Sequence, residues 1–176
     1  MHCLRPALGA ALLVLAAVSV PALAPQPAHA DFPTVPFSIR SEKFKDRCWT
    51  IVPPENNPKE PNVLQQKCDM YNSAQRLRYD AASKHIVNDK TGDCIGVVSD
   101  IGAFLSAGEC SKFPKRPGSL QWTFDRQGRL SVGPFGRRGD ISCADAGIAD
   151  VQGRLWVPAV VCNDKNSQKW RADTNI

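Results

Sequence analysis

Cys162-Asn-Asp-Lys-Asn-Ser-Gln168-Lys-Trp170-Arg-Ala-Asp173 decides the fold, because the chain writes this stretch more than once. An earlier copy reads Cys68-Asp-Met-Tyr-Asn-Ser-Ala-Gln75-Arg-Leu77-Arg-Tyr79-Asp80. A middle copy reads Cys110, a longer insertion, then Leu120-Gln121-Trp122-Thr-Phe124-Asp125. Each runs from a cysteine to a bulky apolar residue (Leu77, Trp122, Trp170), with an aspartate three positions further on. The bulky residues recur every ~45–48 residues, the length of a supersecondary unit that cannot bury a core alone.

The chain ahead of the first copy reads differently. Arg5, the apolar run from Ala7 to Val20 and the small-residue triplet Ala28-His29-Ala30 have the layout of a secretory signal peptide over residues 1–30. Ala22-Leu23-Ala24 offers an earlier cut. The run falls short of the ~20 apolar residues that span a bilayer. Cys3 precedes the run, whereas a lipid-anchored cysteine would follow it, so Cys3 is read as incidental. The expectation is an exported, extracellular protein with one domain over residues 31–176, long enough for a real core. No later segment is apolar enough to cross a membrane. The net charge of +5 is dispersed, with Lys112, Lys115, Arg116 and the Arg137-Arg138 pair in loops. A nucleic-acid footprint would be a denser basic stripe interleaved with aromatics, so nucleic acid is excluded as a partner.

Of seven cysteines, six lie beyond the leader: Cys48, Cys68, Cys94, Cys110, Cys143 and Cys162. An even number in an exported chain argues for disulfides, and six cysteines allow about 15 pairings. The repeat chooses among them, because Cys48–Cys68, Cys94–Cys110 and Cys143–Cys162 place one pair in each copy, separated by 20, 16 and 19 residues. In the chain-entropy model each such bridge contributes ~3 kcal/mol. Zinc is the competing reading, but there is no Cys-x-x-Cys and His85 is the single histidine beyond the leader.

The chain between cysteines reads as short strands: Phe37–Arg40, Cys48–Val52, Asn62–Lys67 and Leu77–Tyr79 in the first copy. Ile86-Val87, Cys94–Val98, Ala103–Leu105 and Trp122–Phe124 follow in the second. Leu130–Val132, Ile141–Cys143, a segment from Arg154 to Val161, and the closing Gln168-Lys-Trp170 make the third. Pro53–Pro61, with four prolines, and Ser111–Gly118 are loops. No stretch of the exported part shows an amphipathic helical face. The expected class is all-β, with copies over residues 36–82, 83–127 and 128–175. A propeller needs four or more blades. Three units with internal disulfides point to a closed threefold barrel with hairpin caps.

These residues resemble the ricin-type β-trefoil lectins, built from three repeats that end in Gln-x-Trp. The resemblance covers Phe37 to Asp173. Gln168-Lys169-Trp170 is intact, Gln75-Arg76-Leu77 has lost the indole, and Leu120 stands where the middle copy would carry glutamine. One large side chain per copy fills the barrel near its axis, and the glutamine amide satisfies backbone groups where the chain turns into the next repeat. The motif therefore reports fold first, and fold does not settle function.

In family members that bind galactose-like sugars, an aspartate lies two residues after a repeat's first cysteine. An aromatic lies two before the second cysteine, and an Asn-Gln pair leads into the tryptophan. By that resemblance only the third copy keeps the aspartate, as Cys143-Ala144-Asp145, with Gln168 present, Ser167 in place of asparagine and Val160 in place of the aromatic. Trp156 is the substitute platform, and Asn163 and Asn166 are further polar candidates. Each also has a plain structural reading: Asp145 as a turn cap, Trp156 as core, Asn163 and Asn166 as residues shaping the Cys162 loop, with Trp49 packed inside. Thr50 and Gln66, then Gly96 and Gly108, stand at the aspartate and aromatic positions of the first two copies, whose sites look dead by the family's rule.

The leading expectation is a secreted carbohydrate-binding module with at most one sugar site, in the third repeat. The alternative is a trefoil that has dropped sugar binding and meets a protein through its proline-rich loops, of the inhibitor or toxin-subunit type. Catalysis has no support: His85 lies beside no recognisable nucleophile motif, and no carboxylate pair stands out. The expected molecule is a monomer without cofactor or metal, with a glycan or glycoconjugate, or else a protein, as partner.

Overall fold

The computed structural model describes residues 31–53, 61–97, 104–113, 118–135, 139–147 and 149–175. The leader, most of the Pro53–Pro61 loop and the centre of the Ser111–Gly118 loop lie outside these residues, and so do Arg137 and Arg138. Among the described residues, no helix is long and apolar enough to cross a membrane.

The strands fall into three sets. The first is β1 (Ser38–Ser41), β2 (Arg47–Val52), β3 (Asn62–Lys67) and β4 (Leu77–Asp80). The second is β5 (His85–Asn88), β6 (Cys94–Val97), β7 (Leu105–Gly108) and β8 (Trp122–Phe124). The third is β9 (Leu130–Phe135), β10 (Asp140–Ala144), β11 (Leu155–Trp156), β12 (Ala159–Val161) and β13 (Trp170–Asp173). Every ladder is antiparallel. Neighbouring sets join through β4–β5, β8–β9 and β13–β1, which closes the circle. The hairpins β2–β3, β6–β7 and β10–β12 cap it. The expected all-β trefoil is what the chain forms.

Equivalent backbone bonds repeat around the circle. Leu77 N–H donates to Phe37 O at 2.8 Å, Trp122 N–H to Lys84 O at 2.8 Å and Trp170 N–H to Gly128 O at 2.7 Å. Asp80, Asp125 and Asp173 each accept from the backbone N–H two residues on, at 3.0, 3.0 and 3.1 Å. The recurring aspartate is therefore a turn-former that aims the chain out of one unit and towards the next. The three disulfides pair Cys48–Cys68, Cys94–Cys110 and Cys143–Cys162, one in each set.

Leu77, Trp122 and Trp170 are buried at the centre. Both indoles donate to the residue after the first cysteine of their own set: Trp122 Nε1 to Ile95 O at 2.7 Å, and Trp170 Nε1 to Ala144 O at 2.9 Å. In the first set the large and small partners are exchanged, with Leu77 at the motif position and Trp49 after the cysteine. Trp49 sits edge-on to both other indoles, with ring centroids 5.6 Å from Trp122 and 5.3 Å from Trp170. The exchange keeps the core filled without the missing motif tryptophan. The Trp49 Nε1 is buried and has no hydrogen-bond partner among the described residues.

Two features depart from the sequence reading. The segment from Arg154 to Val161 is two strands, and β11 leaves its own set to pair with β3 of the first, Leu155 opposite Gln65 and Trp156 opposite Leu64. The leader-side residue Phe32 is part of the core. It stacks on Tyr79 at 4.1 Å and lies 5.8 Å from Phe37 and 5.5 Å from Phe124.

Candidate functional site

Asp145 follows the last residue of β10 and is half-buried. Its backbone N–H donates to Pro158 O at 2.9 Å, and the Oγ of Ser167 donates to its Oδ2 at 2.9 Å. Ala146 N–H bonds Ser167 O, and Gly147 N–H closes onto Asp145 O at 2.9 Å. Gly147 has φ of +73°, and a Cβ there would stand 2.7 Å from Gln65 Nε2, so only glycine lets the chain turn this close to β3. The carboxylate is thus braced on one oxygen. No donor meets its other oxygen among the described residues.

Gln168 is fully buried. Its Nε2 donates to Val161 O at 3.0 Å, and its Oε1 accepts from Asn163 N–H at 2.6 Å, so one amide holds the backbone on both sides of Cys162. Gln75 does the same around Cys68, donating to Lys67 O at 2.9 Å and accepting from Asp69 N–H at 2.9 Å. Both glutamines fill the structural role read from the motif. Leu120 cannot, and the middle unit instead buries Leu120 with Phe113, Val87 and Cys94.

The remaining candidates separate. Asn163 folds onto its own loop, accepting from Lys165 N–H at 2.9 Å and donating to Val161 O at 3.4 Å. Asn166 is exposed. The Trp156 side chain is engaged with other partners: its Nε1 donates to Asp150 Oδ2 at 3.0 Å and its ring meets Phe104 at 4.8 Å, while Arg154 lies 5.5 Å over it. The Trp156 indole N–H, then the Arg154 side chain and two backbone N–H groups, hold the Asp150 carboxyl well below the usual carboxylate range. Asp150-Val-Gln-Gly-Arg154 repeats the pattern Asp125-Arg-Gln-Gly-Arg129, and the turns match: Arg Nε to Asp Oδ2 is 2.7 and 2.6 Å. That repeated pentad was visible in the sequence and marks the hairpin that carries Trp156.

The aspartate positions of the other two sets are occupied in different ways. Thr50 is buried, and its Oγ1 accepts from Gln75 Nε2 at 2.9 Å. At Gly96 a Cβ would lie 2.6 Å from Ser119 O and against Leu120 Cδ2, so no carboxylate fits. His85, Cys94 and Cys110 lie within 4.8 Å of one another, but the Cys94–Cys110 bridge takes both thiolates that a metal would need.

The sequence reading missed a cleft of about 640 Å³. It lies at the barrel side, where Asp31 and Pro33 meet the β1–β2 turn, the turn after β8, and β13. Lys45, Phe124, Arg126, Asn166, Lys169 and Arg171 are among its lining residues. Of the candidates, Asn166 belongs to it, while Asp145, Trp156 and Gln168 do not.

No protein-family model and no curated sequence matches the chain. Solved structures do. The mdaA-1 domain superposes with a TM-score of 0.65 at 12% identity, over 85% of this chain and 96% of that one. The β-trefoil lectin of the Vibrio vulnificus hemolysin/cytolysin, with N-acetyl-D-lactosamine bound, gives 0.60 at 13% identity, over 79% and 93%. A C-terminal domain mutant of the earthworm lectin, in complex with 6'-sialyllactose, gives 0.56 at 15%, over 79% and 98%. The chain has the β-trefoil fold of the ricin-type lectins.

Proposed function

We propose that this chain is a glycan-binding module with one sugar site, centred on Asp145 in the third repeat. The observation that carries the reading is the half-buried Asp145 carboxylate, braced by Ser167 on one oxygen with the other left to accept sugar hydroxyls. Gln168 positions the loop behind it and does not touch ligand. The engaged Thr50 and the crowded Gly96 support a single site. The structural neighbours that bind sugars support the class of ligand. With Val160 where an aromatic would stack, binding should be weak, on the order of 1 mM. The module is read as non-catalytic and exported, which its three disulfides and the apolar leader support. Calorimetric titration with N-acetyllactosamine and a panel of neutral galactosides tests this. Measurable binding that falls roughly tenfold or more in Asp145→Ala is expected. Absence of binding to every glycan would sink it.

A second reading, docking of a protein, draws on the exposed pair Met70 and Tyr71 beside Cys68, the latter 89% exposed. Aromatic anchors of this kind favour protein interfaces. Pull-downs with Tyr71→Ser against wild type test it, and equal capture by both would count against it.

A further inference from the structure

We propose that the cleft beside β13 binds an acidic saccharide, one carrying a carboxylate or sulfate, independently of the Asp145 face. The pseudo-threefold repeat sets this cleft apart from its two equivalents. Relative to the motif Gln75-Arg-Leu77, Leu120-Gln-Trp122 and Gln168-Lys-Trp170, the cleft takes the middle residue and the residue after the motif from the third unit, Lys169 and Arg171. It takes Lys45, three before Cys48, from the first unit and Arg126, four after Trp122, from the second. All four are cationic. Rotation by one unit gives Arg76, Arg78, Thr91 and Thr174, with Arg76 paired to Asp89 at 3.5 Å. Rotation by another gives Gln121, Thr123, Asp140 and Ala81. The barrel is built at all three places, so the fold does not require four cations at any of them.

The charges there are also poorly compensated by the protein. Among the described residues no carboxylate pairs with Lys45, Arg126 or Lys169. Arg171 stands directly across the β1–β13 ladder from Arg40, a like-charge placement that costs stability. Asp173 serves both, at 3.0 Å from Arg40 and 3.9 Å from Arg171. An anion in the cleft would relieve this repulsion.

Other lining groups select a sugar over a bare anion. Asp31 and Glu42 share the cleft and can accept hydrogen bonds from sugar hydroxyls, which a bare sulfate does not offer. Asn166 adds an amide and Phe124 an apolar group. A volume of about 640 Å³ falls within the range of small-ligand sites. Cations for the acid group, carboxylates for hydroxyls and an apolar group together suit an acidic sugar of one or two rings.

The test is calorimetry on the full protein with lactose, 6'-sialyllactose, 6'-sulfolactose and sodium sulfate, at low and high ionic strength. The two acidic lactoses distinguish a carboxylate from a sulfate as the recognised group. At least one should bind about tenfold or more tightly than lactose, and more weakly as salt rises. Arg126→Gln/Lys169→Gln should abolish that preference, while Asp145→Ala should leave it intact, which keeps this site separate from the proposed neutral-sugar face. If the double variant fails to fold, Lys45→Gln on the exposed β1–β2 turn serves instead. Equal binding of acidic and neutral lactose, a preference unmoved by the cleft substitutions, or sodium sulfate binding as tightly as sulfolactose would each overturn the proposal.

Discussion

Trp49 and Trp170 pack edge to face, 5.3 Å between ring centroids, although they come from non-equivalent positions of the repeat. The contact exists because the first unit carries Leu77 at the motif position and supplies the missing volume from Trp49 on β2. Trp122 and Trp170 satisfy their N–H groups on Ile95 O and Ala144 O, whereas Trp49 Nε1 has no partner among the described residues. Trp49→Phe should therefore cost less than Trp122→Phe, by ~1 kcal/mol, because only the second orphans a buried carbonyl. Trp49→Ala should cost ~3–5 kcal/mol. Urea unfolding of the three variants measures both differences.

Gln168→Leu copies the residue type that the middle unit carries at position 120, yet it should destabilise by ~2 kcal/mol. Val161 O and Asn163 N–H would be left without the amide that now joins them. Gln75→Leu should behave alike and also free Thr50 Oγ1. A change within a few tenths of a kcal/mol in either would contradict the assigned role.

Phe32 closes one end of the barrel by stacking on Tyr79. Phe32→Ala should lower stability by ~2–4 kcal/mol, a large effect for a residue so close to the leader. Thermal unfolding of this variant, and of one shortened to begin at Pro33, should agree.

The Asp150 carboxyl sits below its ordinary pKa because of Trp156, then Arg154 and two backbone N–H groups. A depressed folded-state pKa means stability that is present above the unfolded-state value of about 4 and is lost as pH falls through the folded one. The Tm difference between wild type and Asp150→Asn should thus be widest near neutrality and shrink in strong acid. Trp156→Phe should raise the Asp150 pKa, which a carboxyl-carbon NMR titration reads directly.

The sequence made the threefold plan legible because its markers are local and repeated. The turn aspartates and the backbone bonds of the Gln75 and Gln168 amides act within a few residues of their own position, and each cysteine pairs within its own copy. What escaped it depends on long-range partners. β11 is two residues long, too short for a period, and its partner β3 lies in another unit. Trp156 was a reasonable platform by distance along the chain, but the Asp150–Arg154 turn carries its ring towards Phe104. Phe32 looked like part of a proline-flanked leader, and only the closed barrel gives it a hole to fill. The four cations of the cleft come from all three units, one or two from each, so no single stretch advertised it.

Of the three positions equivalent to Asp145 around the repeat, only the third is proposed to present a neutral-sugar face. Amide chemical-shift mapping during titration with neutral galactosides tests it most directly. The account predicts saturable shifts grouped at residues 145–147 and 163–168, absent in Asp145→Ala, with the Thr50 and Gly96 regions unmoved. Shifts centred on either of those regions, or none anywhere at tens of millimolar sugar, would contradict it.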